Sequence, residues 1–153
     1  MSASTSQTQA SFSETRSEPL TPRKRALLRA AVKCFRDQGY RATTINDIGA
    51  AAGVTGPALY AHFPSKEAVL EQAIWEMARA INRATVTAMN LGGSPLERLS
   101  SMAGALIEVA LEHRDFAAVS VFEARHLPAQ VYGAMRRSEE RYRDYWVDAL
   151  REA

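Results

Sequence analysis

From Leu27 onward, apolar residues recur at intervals of three and four, the spacing that lines one face of an α-helix. Leu27, Ala30, Ala31, Cys34 and Phe35 form the first such stripe, opened by Thr21-Pro22 and stopped by Gly39. Thr44-Ile-Asn-Asp47 has capping-box spacing and opens a short helix running to about Ala52. Gly53-Val54 turns the chain into a second short helix, capped by Thr55 and ending near His62-Phe63-Pro64. Ser65 caps a long helix with Val69, Leu70, Ala73, Ile74, Met77, Ala78 and Ile81 on one face, broken after about Leu91 by Gly92-Gly93. Ser94-Pro95-Leu96-Glu97 restarts a helix whose inner face is predicted to hold Leu99, Met102, Ala103, Leu106, Ile107 and Ala110. A break near His113 to Asp115 precedes a helix through Leu127, and Pro128 opens the last one. No stretch alternates with period two for long enough to be a strand. The predicted fold is all-α.

Residues 1–20 are rich in Ser, Thr and Gln and predict a disordered tail. Residues 21–64 then make a three-helix unit and residues 65–153 a helical bundle. The bundle reads as truncated, because the chain stops at Ala153 inside a helix with no capping glycine. The other possibility is a complete chain that dimerises differently.

Charge separates these parts further. Leu20 to Lys66 holds eight bases against two acids, whereas Glu67 to Ala153 holds ten arginines against thirteen acids. A basic head on a mildly acidic body is the footprint of a protein that binds a polyanion. Scattered charges that only solvate helices would look similar.

Cys34, the single cysteine, excludes an internal disulfide and fits a reducing compartment; it reads as a small core residue. No apolar run reaches the roughly 18 residues of a membrane span, and the N-terminus lacks the pattern of a secretory signal. A cytoplasmic protein is expected, with no membrane partner.

The stretch Ala51-Ala-Gly-Val-Thr-Gly-Pro-Ala-Leu-Tyr60 carries the functional signal. Two short helices can pack steeply across a tight turn only where the residues between them are small. Gly49 and Ala52 are small, Gly53 permits the turn, and Ile48, Val54 and Leu59 can fill the crevice. Such a unit projects the start of its second helix outward, where it can enter a major groove. An ordinary helical hairpin inside a bundle is the bland alternative, and the basic surroundings favour DNA.

Phe35-Arg-Asp-Gln-Gly-Tyr40, Thr43-Thr-Ile-Asn-Asp-Ile48, Ala52-Gly-Val54, Leu59-Tyr-Ala-His-Phe63 and Ser65-Lys-Glu67 together resemble the DNA-binding domain of TetR/AcrR repressors. The likeness covers about residues 22–70. It implies a helix-turn-helix domain over 21–64 and an effector-binding and dimerisation region over 65–153. It also implies a homodimer on a palindromic double-stranded DNA operator, released by a small apolar or amphipathic effector. By the same resemblance Thr44 and Lys66 would hold phosphates, and Tyr60 and His62 would reach phosphates or base edges. Thr55, Gly56, Pro57 and Ala58 occupy positions that usually face bases. Gly49 stands where the family commonly has alanine.

Thr55 to His62 contains no Arg, Gln or Asn, so the usual bidentate readers of guanine and adenine are missing there. Pro57 and Ala58 can touch thymine methyls, which points to methyl contacts and DNA shape as the basis of specificity. Arg23, Lys24 and Arg25, with Arg16 behind them, could form an arm that neutralises phosphates or enters a minor groove; a solvated helix start is the plainer role.

Trp75, Met102, Phe116, Phe122, Arg125, Tyr142 and Trp146 are the candidate effector residues, although aromatic and methionine stripes also serve as plain core. Glu123-Ala-Arg-His-Leu-Pro128, followed by Arg136, Tyr142 and Trp146, is similar to a branch of the family that senses acyl-CoA or lipid-like catabolites. Charged helix surfaces explain the same arginines.

No glycine-rich phosphate loop, nucleophile elbow or His-Glu-x-x-His is present, and His62, His113 and His126 lack metal spacing. No enzyme activity, cofactor or metal is expected. The rival reading is an all-helical adaptor whose basic head binds an acidic protein.

Overall fold

The computed structural model describes residues 19–153. The tail expected over 1–20 and Arg16 therefore fall almost wholly, and wholly, outside the described residues. Seven α-helices follow in order: α1 (Pro22–Gln38), α2 (Ile45–Ala51), α3 (Gly56–Tyr60), α4 (Lys66–Met89), α5 (Pro95–Glu112), α6 (Arg114–Phe122) and α7 (Ala129–Glu152). A single 3₁₀ turn, Ala124–His126, joins α6 to α7, and no strand occurs among the described residues.

The helix starts lie where side-chain oxygens can satisfy free N–H groups. Thr21 accepts from Lys24 N, and Ser65 accepts from Ala68 N. Thr44 with Asp47 and Ser94 with Glu97 form reciprocal capping boxes. Gly39 ends α1 at φ +84°, a left-handed conformation that a side chain resists.

Leu27, Leu28, Ala31, Val32 and Phe35 of α1 meet Ile48 of α2, Leu59 of α3 and Val69, Leu70, Ala73 and Ile74 of α4 in one buried cluster. That cluster continues through Val119, Ala124, Leu127 and Met135, so head and body share a core rather than hanging from a linker. Cys34 packs on its edge, with Sγ 3.9 Å from the Asp47 carbonyl oxygen. Burial, reinforced by Asp47, pushes its thiol pKa up and so favours the unreactive form.

Two expectations need correction. Ile107, predicted to face inward on α5, is 59% exposed, and Met102 is the residue of that face that is sealed. The helix predicted through Leu127 stops at Phe122 and tightens into the 3₁₀ turn. Pro128 disfavours helical backbone at Leu127, which is extended at ψ 147°. The tighter turn also lets Ala124 and Leu127 both reach the core.

Candidate nucleic-acid interface

The turn between α2 and α3 is built on close backbone approach. Val54 N donates to Gly49 O at 2.8 Å, and Gly53 N donates to Ala50 O at 3.2 Å with Gly53 at φ +68°. A Cβ on Gly49 would stand 2.9 Å from Val54 O and 3.1 Å from Gly56 N, which is why a residue without one fits. Ile48 and Leu59, both fully buried, pin the two helices to α1 and α4.

This packing leaves one side of α3 bare. Thr55, Pro57 and Ala58 are exposed, Tyr60 is 53% exposed, and His62 is half-buried at the rim. Thr55 caps α3 by accepting from Ala58 N at 3.3 Å. The face therefore stands clear of the core, as an element entering a groove must.

Gly56, expected to face bases, is buried instead. A methyl group there would collide with the amide oxygen of Asn46. Asn46 is exposed on α2 at that contact, and so puts an amide beside a recognition face that has none of its own. Reading only Thr55 to His62 missed it, because the neighbour comes from another helix. The capping-box spacing that places Asn46 in the first turn of α2 was the available signal.

Thr44 is exposed at the N-terminus of α2, with its hydroxyl 2.7 Å from Asp47 Oδ2 and its backbone N–H donating to the same oxygen at 2.7 Å. These bonds hold the Asp47 carboxyl below its ordinary pKa, the side-chain bond contributing most.

Lys66, expected at a phosphate, is turned inward. Its Nζ donates to Tyr40 O and Thr43 O, both at 2.9 Å, and sits 4.4 Å from the Tyr40 ring centroid. The ammonium thereby ties the start of α4 to the loop before α2. Burial pushes the Tyr40 phenol pKa up, and the nearby Glu67 carboxylate adds to it.

Of the basic start of α1, Lys24 Nζ lies 5.0 Å from the Phe63 ring centroid, and Arg25 reaches back to Leu20 O at 3.3 Å. These two side chains brace the head, while Arg23 and Arg29 are exposed.

The seven candidate effector residues do not converge on one pocket. Trp75 lines a cavity of about 170 Å³ beside His62 and Phe63. Met102 is sealed, Phe116 packs on the core, Phe122 is 65% exposed, and Arg125 lies at the junction between head and body. Tyr142 and Trp146 do meet, edge to face at 6.3 Å, and buried Thr85 donates to the Tyr142 hydroxyl at 3.3 Å. Thr85 was not anticipated, since threonine inside an apolar helical stripe is indistinguishable by spacing from a core position.

Family models describe both parts of the chain. Residues 27–73 match "Bacterial regulatory proteins, tetR family", and residues 92–153 match "Tetracyclin repressor-like, C-terminal domain". The chain belongs to the TetR family. It is thus a DNA-binding transcriptional regulator, with the helix-turn-helix head and helical C-terminal domain of that fold. The "HTH-type transcriptional repressor KstR2" of Mycolicibacterium smegmatis is 35% identical over 144 residues, covering 91% of this chain and 68% of that protein. The solved ketosteroid transcriptional regulator KstR2 of Mycobacterium tuberculosis superposes with TM-score 0.80 at 28% identity, covering 88% of this chain and 69% of the other. AibR, solved with isovaleryl coenzyme A and operator DNA, shares the fold with TM-score 0.76 at 23% identity, over 86% of this chain and 71% of its own. This TetR-family chain spans about two thirds of the length of the KstR2 relatives it matches. No described helix is long and apolar enough to cross a membrane.

Proposed function

We propose that this regulator represses transcription as a homodimer on a palindromic operator and is released by a small amphipathic effector of lipid-like or acyl-CoA chemistry. The bare face of α3, carried on a head with a surplus of positive charge, is the observation that supports operator binding. Thr55, Pro57, Ala58 and Tyr60 would meet base edges and thymine methyls, and Thr44 and His62 would take phosphates at the margins. Lys66 would act indirectly, by holding the loop that presents Thr44. Work on DNA would place the protein in the cytoplasm.

Apolar surface supports the dimer. Ile107 and Leu111, one turn apart on α5, are 59% and 71% exposed, and Val121 and Phe122 of α6 are 74% and 65% exposed. Kinship with KstR2 and the coenzyme A ester held by AibR support the effector class. The Thr85–Tyr142–Trp146 cluster between α4 and α7 offers an apolar wall with a polar handle.

Footprinting on the DNA flanking the protein's own gene tests the reading. The expected result is a symmetric protected site that outcompetes random duplex by a factor on the order of 10³ or more. Protection of no site, or equal affinity for all duplexes, would refute it. Calorimetry with free fatty acids and acyl-CoA esters tests the effector class, which fails if neither gives heat.

A further inference from the structure

The junction between head and body holds a polar cavity whose lining includes no residue of the bare face of α3. Its volume is about 530 Å³, within the range of small-molecule sites. One wall is the end of α1 and the turn after it, from Gln38 to Ala42, and the other is Glu123, Arg125 and His126 at the 3₁₀ turn. The two walls are joined at one edge by a stack of His126 on Tyr40, with ring centroids 5.3 Å apart and planes at 20°. Arg36 pairs with Asp115 of α6 across the same junction.

Charge in this cavity is unbalanced. Glu123 Oε2 lies 3.3 Å from His126 Nε2, and both side chains are largely buried. Arg125 Nε lies 3.5 Å from the same nitrogen. One ring nitrogen cannot donate to Glu123 and accept from Arg125 together. The shorter, better buried contact to the carboxylate competes for that nitrogen, so the 3.5 Å contact leaves most of the Arg125 guanidinium N–H groups unused. Among the described residues neither Arg41 nor Arg125 pairs with a carboxylate, although both line the cavity and both are exposed. The only acid of the lining, Glu123, is occupied by His126.

We infer that this junction is a binding site for a small oxyanion-bearing metabolite, a phosphate ester or a polycarboxylate, held between Arg41 of the head and Arg125 of the body. Guanidinium groups present paired N–H donors that match either oxyanion in bidentate fashion. A ligand spanning them would bridge two walls that belong to different parts of the chain. It would therefore restrict how the head sits on the body.

The test uses the whole chain without DNA, titrated separately with pyrophosphate and with citrate, by calorimetry and by amide NMR shifts. Saturable binding of one equivalent is expected for at least one probe, with the largest shifts at Gly39 and at residues 123–126. Arg41→Ala and Arg125→Ala should each weaken that binding at least about tenfold, whereas Arg143→Ala, an exposed site on α7, should leave it unchanged. Binding of pyrophosphate alone would identify phosphate esters as the class, and binding of citrate alone polycarboxylates. Both arginines are exposed, so folding should survive, and thermal melts of each variant check this. Absence of saturable binding, equal weakening by Arg143→Ala, or shifts centred on α3 would overturn the inference.

Discussion

The Lys66 ammonium donates a 2.9 Å hydrogen bond to the carbonyl oxygen of Thr43, tying the first residue of α4 to the loop that leads into α2. A matching bond to the Tyr40 carbonyl makes it a clip across the base of the head. Position within a DNA-binding motif suggests a phosphate contact for a lysine, but here two backbone carbonyls already accept two of its three N–H donors.

Replacing Lys66 with Met should therefore act on stability first. Two half-buried carbonyls would lose a charged donor, at a cost of about 2 kcal/mol in total. For a chain of this size that lowers the thermal midpoint by about 4–8 °C. The slope of log affinity for DNA against log salt should stay as it is. A slope reduced by about one with an unchanged midpoint would instead place the ammonium on a phosphate.

Gly49→Ala probes the tightness of the turn. The new methyl would press on Val54 O and Gly56 N, backbone atoms that move only with the turn itself. A loss of about 1–2 kcal/mol in chemical denaturation is expected, with weaker DNA binding as α3 shifts. Relatives that carry alanine here would need a slightly wider turn between α2 and α3. An unchanged midpoint would show that residues 53–55 yield freely.

Asp47→Ala and acid titration address the cap of α2. Thr44 holds the Asp47 carboxyl below its ordinary value, so the ionised form is favoured in the folded state. Its contribution is present above the usual carboxylate range and is lost as pH falls through the lowered folded value. Amide exchange at Ile45 to Asp47 should accelerate as pH drops below about 4, after correction for the intrinsic rate. The Asp47→Ala variant should exchange fast at neutral pH and lack that transition. A transition that persists in the variant would assign it to another carboxylate.

Asn46→Ala tests whether the amide beside Gly56 reads DNA. Selection from randomised sites should show relaxed preference at one position per half-site, worth about 1–3 kcal/mol against the wrong base. Preference at the thymine positions expected for Pro57 and Ala58 should persist. If every position weakens equally, Asn46 supports the helix start and contacts no base.

The helix boundaries were legible because they are local. Thr21, Thr44, Thr55, Ser65 and Ser94 each sit one residue before a helix, and each accepts from the N–H three residues on. Capping of this kind depends only on neighbours in the chain. The 3₁₀ turn at Ala124–His126 was not legible, since its tightness follows from packing Ala124 and Leu127 into a core built by α1 and α4. The candidate effector set suffered most. Its members share composition and helical spacing, yet Phe122 faces solvent and Arg125 faces the head.

The amino-acid order by itself determined that the chain is helical, where its helices start, and that a glycine turn joins two short helices within a basic stretch. Those properties follow from φ/ψ preference, capping and periodicity, which act over a few residues. The folded structure alone decided that Lys66 points inward, that Gly56 is covered by Asn46, and that His126 stacks on Tyr40. Each of those contacts joins different elements, and which side chains meet there depends on how the helices pack against one another, a quantity that spacing along one strand of sequence does not contain.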